Sequence, residues 1–204
     1  KLVETYRKYL QENDWIRFEK FNHKDILFEN TSLKYHSLEA AKIIFCEGFG
    51  LKKNPYFNHL PLEEVKGEII TILAPELEID FLLKSTLFVL PLGNNHYKVG
   101  ATFNHKDKTS IPSKEGKEEL IEKLKKVITV PYSIVEQSAG IRPAVKDRRP
   151  MVGVHAKHSQ LSVLNGLGTR GVMIAPTVAK NLFHHLEYGE KLDQEIDIKR
   201  FVKK

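Results

Sequence analysis

Residues 161–188 contain the feature that most restricts the fold of this chain. They run from a short apolar stretch, LSVLN, through the glycine-rich NGLGTRG into an apolar repeat of helical period. Glycine accepts the left-handed backbone that a tight strand-to-helix turn needs. The segment therefore predicts a strand, a turn, and a helix from Gly171 to Tyr188 that ends at Gly189. The residues predicted to form the buried stripe of this helix are Val172, Ala175, Ala179, Leu182 and Leu186.

Gly166, Gly168 and Gly171 have the G-x-G-x-x-G spacing of a dinucleotide-binding turn. That fold needs a second parallel strand after the helix, carrying an acid about 20 residues beyond the glycines. The region here, YGEKLDQEIDIKRF, has acids but no apolar strand. We therefore do not expect a pyrophosphate site. Two interpretations stay open: the turn packs closely against its neighbours, or its N–H groups and the helix dipole stabilise developing negative charge on a ligand.

The remaining segments predict a mixed architecture. KLVETYRKYL predicts an amphipathic helix, DWIRFEKFN with ILFEN a β-hairpin, and KIIFC a buried strand before a glycine turn. Further strands are predicted at GEIITILA, MVGVH and LSVLN, with a hairpin around Gly93. SKEGKEELIEKLKKVI predicts a helix capped by Ser113, and SIVEQSAGIRPAV is predicted to be extended. This order favours an α/β plus α+β fold with an antiparallel sheet and helices.

Composition restricts the class of protein. The 204 residues carry a net charge of +6, are 41% hydrophobic and include one cysteine, Cys46. These values are typical of a folded protein, and no apolar run of roughly 18 residues predicts a membrane span. A single cysteine cannot form an internal disulfide, so a reducing compartment, the cytoplasm, is predicted. The lysines of GKEELIEKLKKVI alternate with glutamates, which favours a solvated helix face over a nucleic-acid surface.

Several stretches resemble one family. AAKIIFCEGFG at 40–50, followed by LPLEEVKGEIITI at 60–72, is similar to the strand, glycine turn and K/R-G-[EQ] segment of the D-amino-acid oxidase, glycine oxidase and sarcosine oxidase family of FAD-dependent oxidoreductases. GIRPAVKDRRPMVGVH at 140–155 resembles the family's G-x-R-P segment, and residues 165–190 resemble its glycine turn and closing helix. One departure is D-R-R-P, where the family has small residues between the Asp and the Pro.

The resemblance implies a division into two domains. Residues 1–38 and 61–138 would belong to a substrate domain, and residues 39–60 and 139–204 to an FAD-binding, Rossmann-like domain. Family members hold the ADP half of FAD on an N-terminal βαβ unit, and this sequence contains no such unit. The chain is therefore expected to be the C-terminal half of a flavoenzyme. We expect it to need the N-terminal portion as a partner and to be inactive alone.

The resemblance also implies roles for individual residues. Arg142, in G-I-R-P, matches the arginine that binds the substrate carboxylate, and a guanidinium suits this role because it donates two parallel hydrogen bonds. Arg170 matches a second arginine that glycine oxidases carry in the flavin turn, so it is expected to contact substrate or flavin. For each arginine, a structural or surface role is the alternative. The expected FAD contacts are Gly48, Gly166, Gly168, Thr169, Arg170, Gly171, Val172 and Met173.

FAD is expected to be bound without a covalent link, because Cys46 lies in the strand IIFC and outside the segment where sarcosine oxidases tether their flavin. Cys46 itself is interpreted as a buried small apolar residue. The resemblance implies hydride transfer from substrate to flavin N5, so no catalytic acid or base is assigned. The histidines lack the spacing of metal ligands, so no metal site is predicted.

The implied activity is oxidation of the C–N bond of a small amine or amino acid. Two other functions stay open: a flavin-free binding module made from the substrate-domain sheet, and an RNA-modifying flavoprotein, which the family includes. Lysines without interleaved aromatics argue against a nucleic-acid partner. A G-x-G-x-x-G after a strand, upstream of Lys1, would identify the class.

Overall fold

A computed structural model describes residues 2–202, which form two compact units divided after Ala41. In the smaller unit, the predicted helix is confirmed as α1 (Leu2–Glu12), and a 3-10 turn (His23–Asp25) follows it. Three short strands come next, β1 (Ile26–Phe28), β2 (Leu33–Tyr35) and β3 (Leu38–Ala40). They form an antiparallel sheet in the order β1-β2-β3.

The hairpin predicted to join DWIRFEKFN to ILFEN is wrong. Within the described stretch 14–22 no strand forms, and β1 pairs with β2, placing Ile26 opposite Tyr35. Asp14 has a left-handed backbone (φ 55°), and the Trp15 N–H donates to the Leu10 carbonyl, so the chain leaves α1 in a turn. The alternating stretch has no neighbouring strand to satisfy its backbone groups, and it is therefore not a strand.

The larger unit, as described to residue 202, contains two sheets. The five-stranded antiparallel sheet has the order β6-β7-β8-β5-β9, with strands β5 (Leu62–Leu73), β6 (Leu83–Lys84), β7 (Phe88–Gly93), β8 (His96–Gly100) and β9 (Ser133–Val145). The three-stranded sheet has the order β10-β11-β4, with strands β4 (Ile43–Phe45), β10 (Met151–Val154) and β11 (Leu161–Asn165). β11 is antiparallel to β10 and parallel to β4.

The same unit has two α-helices among its described residues, α2 (Lys114–Leu124) and α3 (Gly171–Tyr188). The 3-10 segments cover Gly48–Lys53, Gly168–Arg170 and Ile198–Phe201. The predicted mixed α/β fold with antiparallel sheets is confirmed. The assignment of its segments to substrate and FAD-binding domains stays a prediction.

The main core lies between the five-stranded sheet and α2. Ile70 and Ile72 of β5 are buried together with Leu120 and Leu124 of α2. Ser113 caps α2 as predicted, because its Oγ accepts a hydrogen bond from the Gly116 N–H. The core therefore holds β5 in the middle of the unit.

Helix α3 has its predicted bounds, and Gly189 ends it in a left-handed conformation (φ 69°). The predicted buried stripe is partly wrong, because Val172 and Ala179 are exposed. The positions that pack on the three-stranded sheet are spaced by four residues: Ile174, Val178, Leu182 and Leu186. Residues four apart lie on one face of a helix, so this face is rotated from the predicted one.

Two buried charged residues, Lys66 and Glu68, flank Gly67 on β5 and are only 1% and 2% exposed. Lys66 Nζ donates to Asp107 Oδ2 and to the Ile111 carbonyl oxygen, at 2.5 Å each. It also lies 3.5 Å from Glu68 Oε1. These bonds tie the segment between β8 and α2 to β5.

Glu68 is satisfied by three donors. Its carboxylate accepts hydrogen bonds from the Ser113 N–H and Oγ, at 2.8 and 2.5 Å, and from Gln137 Nε2 at 2.8 Å. Burial raises the pKa of Glu68, but these bonds and the charge of Lys66 outweigh it, so the pKa lies below its ordinary value. The hydrogen bond with Lys66 lowers the pKa of Asp107 to about 2.

We expect acid to destabilise the protein through these two carboxylates. Their pKa values are depressed in the folded state, so their contribution is present above the ordinary values of 4.5 (Glu68) and 3.8 (Asp107). It is lost as the pH falls through the folded-state values, toward about 2 for Asp107. Urea unfolding at a series of pH values should show stability falling across this range.

In Asp107→Asn, the free energy of unfolding should fall less steeply at the lowest pH values, since one of the two titrating groups is gone. Asp80→Asn is the matched control, because Asp80 is exposed. If both variants follow the parent curve, the network does not control acid stability.

Candidate functional site

One face of the β5–β9 pair forms the floor of a cavity of about 660 Å³. Glu63 and Val65 line it from β5, and Arg142 and Ala144 line it from β9. The register places Arg142 opposite Val65 and Ala144 opposite Glu63. Side chains alternate between the two faces of a strand, so these four residues share a face.

Three further segments complete the lining. Phe103 and His105 come from the segment after β8, where residue 104 bridges to Lys66 of β5. The chain after β9 contributes Lys146 and Arg148, and the glycine turn contributes residues 166–170. The predicted site residues that this cavity brings together are Arg142, Gly166, Gly168, Thr169 and Arg170.

Arg142 lies across β5 toward the segment after β8. Its Nη1 donates to the Thr102 carbonyl oxygen at 3.1 Å, and its Cζ lies 4.4 Å from the centroid of the Phe103 ring. A Cβ at Gly67 would overlap the guanidinium, so the side chain can take this position only because residue 67 is glycine. Burial lowers the pKa of Arg142, but an arginine stays protonated in a protein. Within residues 2–202 no carboxylate forms an ion pair with it.

The glycine turn has the left-handed backbone that its sequence predicts, with φ of 70° at Gly166 and 58° at Gly168. Gly166 is packed closely, since a Cβ there would lie 2.6 Å from Val145. A Cβ at Gly168 would meet no heavy atom within 4 Å. Helix α3 starts directly after the turn, and the side chain of its N-cap residue, Arg170, makes no capping bond. The first N–H groups of a helix attract negative charge, so this edge of the cavity suits an anion.

The other predicted FAD contacts, Gly48, Gly171, Val172 and Met173, lie outside the lining of this cavity. Gly48 has a left-handed backbone, and its carbonyl accepts a hydrogen bond from Asn165 Nδ2 at 2.9 Å, which joins the turn after β4 to the end of β11. Met173 lines a second cavity of about 410 Å³. Contact of these four residues with FAD stays a prediction.

Sequence reasoning missed several lining residues, among them Phe103, His105 and Arg148, and also Gly67, which lies under the Arg142 side chain. Gly67 had a signal in the KGE segment, and Arg148 had one in D-R-R-P, which departs from the family pattern. Phe103 and His105 had none, because they belong to an irregular segment whose position depends on long-range contacts with β5.

Cys46 is exposed, so its interpretation as a buried apolar residue is wrong. It lies just beyond the end of β4, where the neighbouring residue Phe45 faces the interior and Cys46 does not. Partial desolvation and the charge of Glu47 raise the pKa of its thiol.

Residues 2–202 contain no group of three or more His, Cys, Asp or Glu side chains placed to hold a metal ion. They also contain no helix with the length and apolar character to span a membrane.

Comparison with known protein families identifies the class to which this chain belongs. A family model described as FAD dependent oxidoreductase matches residues 17–184. The chain therefore belongs to this family of FAD-dependent oxidoreductases, which confirms the resemblance seen in the sequence.

Two curated relatives show how far the match extends. The chain is 30% identical over 161 residues to the tRNA 5-methylaminomethyl-2-thiouridine biosynthesis bifunctional protein MnmC of Idiomarina loihiensis, covering 73% of this chain and 26% of that protein. It is 25% identical over 153 residues to the glycine oxidase of Bacillus subtilis, covering 72% of this chain and 41% of that protein. The chain thus spans less than half the length of these curated relatives.

Solved structures show the same fold. Glycine oxidase from Geobacillus kaustophilus superimposes with a TM-score of 0.72 at 20% identity, covering 88% of this chain and 52% of that one. L-proline dehydrogenase from P. horikoshii superimposes with a TM-score of 0.71 at 16% identity, covering 86% of this chain and 52% of that one.

We expect Gly67→Ala to displace the Arg142 guanidinium from the Thr102 carbonyl and the Phe103 ring, because the new Cβ takes its place. The free energy of unfolding should change by less than about 1 kcal/mol, since the displaced group ends a flexible side chain. A crystal structure of the variant and its urea unfolding curve check both points.

Gly140→Ala is the matched control. Gly140 lies opposite Gly67 in the same ladder, and a Cβ there would meet nothing within 4 Å. Arg142 should keep its position in this variant. If the guanidinium keeps its position in Gly67→Ala, the absence of a side chain at residue 67 does not determine where Arg142 lies.

Proposed function

We propose that the protein carrying this chain oxidises the C–N bond of an amino acid or secondary amine, with FAD as the hydride acceptor. The observation that carries this proposal is the shared cavity of Arg142 and the glycine turn. An unpaired guanidinium suits a substrate carboxylate, and the uncapped start of α3 suits a developing negative charge. Membership of the family and the relatives named glycine oxidase support this class of reaction.

The residues present fit the flavin end of FAD. Gly168 leaves open space beside the turn, and the N–H groups at the start of α3 have no side-chain cap. Gly168, Thr169 and Arg170 would lie beside the flavin ring, and the N–H groups from Gly171 onward would stabilise its reduced, anionic form. When bound, FAD accepts hydride from the substrate carbon, so this chain need supply no acid or base.

In this proposal Arg142 positions the substrate. One side of its guanidinium is held by Thr102 and Phe103, which leaves its other N–H groups available for a carboxylate. Fixing the carboxylate orients the adjacent C–N bond, and orientation of this kind contributes a large part of enzymatic rate enhancement. Val65 and Phe103 contribute apolar surface to the lining.

We also propose that the adenosine and pyrophosphate of FAD bind outside this chain. Within the described residues, α3 is followed by a single parallel bridge, Asp197 to Val152 of β10, and then by a 3-10 segment, Ile198–Phe201, and not by a full parallel strand. The Asp197 carboxylate accepts a hydrogen bond from the Lys199 N–H, where it caps that segment. The second parallel strand with its acid is what a dinucleotide fold requires. The chain would then supply the substrate side and the flavin-ring side of a larger site.

Arg142→Lys should slow the oxidation of amino acids far more than that of simple amines. Lysine keeps the charge but loses the two-pronged donor, and charge-assisted hydrogen bonds contribute roughly 1.5–3 kcal/mol each. We expect kcat/KM for a carboxylate substrate to fall by about tenfold to a few hundredfold. Steady-state kinetics on glycine or sarcosine, and on a matched amine without the carboxylate, measure the difference.

The FAD content of Arg142→Lys should match that of the parent, because the proposed contact is with substrate. Equal loss of rate on both substrate types, or loss of flavin, would assign Arg142 a structural or flavin-binding role.

The flavin should be bound without a covalent link, because Cys46 lies outside the segment that tethers flavin in sarcosine oxidases. Acid precipitation of the purified yellow protein should release all the colour into the supernatant. Colour retained in the pellet would disprove non-covalent binding. A purified protein that contains no flavin and binds none would favour a flavin-free binding module.

The MnmC relatives favour a second candidate, oxidation of an amine on a modified nucleoside in tRNA. The small molecule remains our first choice, because the cavity has the size of a small-molecule site, about 300–1,000 Å³. Incubation with tRNA that carries secondary-amine nucleosides, followed by nucleoside analysis, distinguishes the two.

A further inference from the structure

The cavity described above has more positive charge than one carboxylate requires. Its lining includes four side chains that are cationic at neutral pH, Arg142, Lys146, Arg148 and Arg170, and a single carboxylate, Glu63. The proposed reaction uses Arg142 for the substrate carboxylate and Arg170 beside the flavin. Lys146 and Arg148 have no role in it.

The same stretch of chain pairs its other cations with acids. Arg149 forms an ion pair with Glu195, and Arg200 Nε lies 3.0 Å from Asp147 Oδ2. Within residues 2–202 no carboxylate forms such a pair with Lys146 or Arg148. Arg149 and Arg200 are thus neutralised, whereas Lys146 and Arg148, which line the cavity, are left available for a ligand.

The backbone at Arg148 supports a functional reading. Arg148 has a left-handed conformation (φ 59°), which costs energy in any residue with a Cβ. The turn is held by the Arg148 N–H, which donates to the Val145 carbonyl at 2.8 Å, and by the Arg149 N–H, which donates to Asp147 Oδ1 at 3.0 Å. Glycine or asparagine would fit this backbone better, and a strained residue that lines a cavity points to a role in that cavity.

Lys146 and Arg148 lie apart from Arg142, the residue proposed to bind the substrate carboxylate. Arg142 and Ala144 line the cavity from one face of β9, and Lys146 lies two residues further along, just after the strand ends at Val145. Lys146 and Arg148 therefore lie beyond the end of the strand, on the same side of the cavity as the glycine turn, where Arg170 Nη2 donates to the Arg148 carbonyl at 3.5 Å. A ligand held by Arg142 could extend along the floor to this pair.

We infer that the substrate is a small amine with two anionic groups: one carboxylate bound by Arg142, and a second carboxylate or phosphate bound by Lys146 and Arg148. This inference rests on the proposed function, because it names the substrate class of the same site. A small dianion is favoured over a nucleic acid because these four cations line one cavity of about 660 Å³, which has the size of a small-molecule site. One face of the Phe103 ring is occupied by the Arg142 guanidinium, whose Cζ lies 4.4 Å from the ring centroid, so that face is not open for base stacking.

The test compares two secondary amines that differ by one carboxylate, N-methylglycine and N-carboxymethylglycine, as substrates of the flavin-loaded protein. The parent should prefer N-carboxymethylglycine. In a Lys146→Gln/Arg148→Gln variant, the ratio of the two kcat/KM values should fall by at least about tenfold, since each charge-assisted hydrogen bond is worth that much or more. Lys180→Gln, the control, removes a charge from an exposed residue of α3 outside both cavities and should leave the ratio unchanged.

A second measurement needs no turnover. Malonate and acetate are titrated into the same proteins, and binding is followed by the change in flavin absorbance or by calorimetry. The parent should bind malonate more tightly than acetate, and the double variant should lose this preference by a similar factor. Added salt should reduce the preference, because it screens exposed charges.

The outcomes separate the two proposals. If the double variant keeps the parent's substrate ratio and its malonate preference, the inference is wrong while the proposed oxidation stands. If neither amine is oxidised, the proposed function is wrong, and the malonate titration still decides whether the cavity selects a dianion. If tRNA displaces malonate at far lower concentration and this depends on Lys146 and Arg148, the pair serves a nucleic acid and the inference is overturned.

Discussion

The antiparallel ladder between β5 and β9 is the interaction on which the rest of the larger unit depends. It runs from Leu62 opposite Val145 to Leu73 opposite Ser133. One face of β5 packs on the core with α2, and the other forms the floor of the cavity. Residues 146–150, which include Lys146 and Arg148, join the end of β9 to the start of β10. The same ladder therefore determines where these two cations lie.

The buried pair of Lys66 and Glu68 is the second constraint. Burying charge is costly unless each group is paired and hydrogen-bonded, and here the partners come from the segment between β8 and α2. The backbones of Glu68 and Thr102 also bond directly, which places the Thr102 carbonyl where Arg142 donates to it. The strand that carries this buried charged pair thus also positions the group that holds Arg142.

Much of this fold could be predicted from local patterns. Helix α3, its glycine stop and the hairpin around Gly93 follow from apolar period and turn chemistry, and the structure confirms them. The pairing of β1 could not be predicted, because alternation shows that a stretch can form a strand and not which partner it finds. For the site, motifs pointed to Arg142 and the glycine turn, but Phe103 and His105 became visible only through the register of three chain segments.

The alternation along β5 has a consequence for how such a protein can diverge. Its even-numbered positions, from Leu62 through Lys66 and Glu68 to Ile70 and Ile72, are almost all buried and carry the core and the polar network. Its odd-numbered positions 63, 65 and 67 face the cavity and the arginine that crosses it. Mutations that alter ligand choice and mutations that threaten folding therefore fall on different sides of one strand. Substitutions on the cavity side can change the ligand while selection maintains the residues on the buried side.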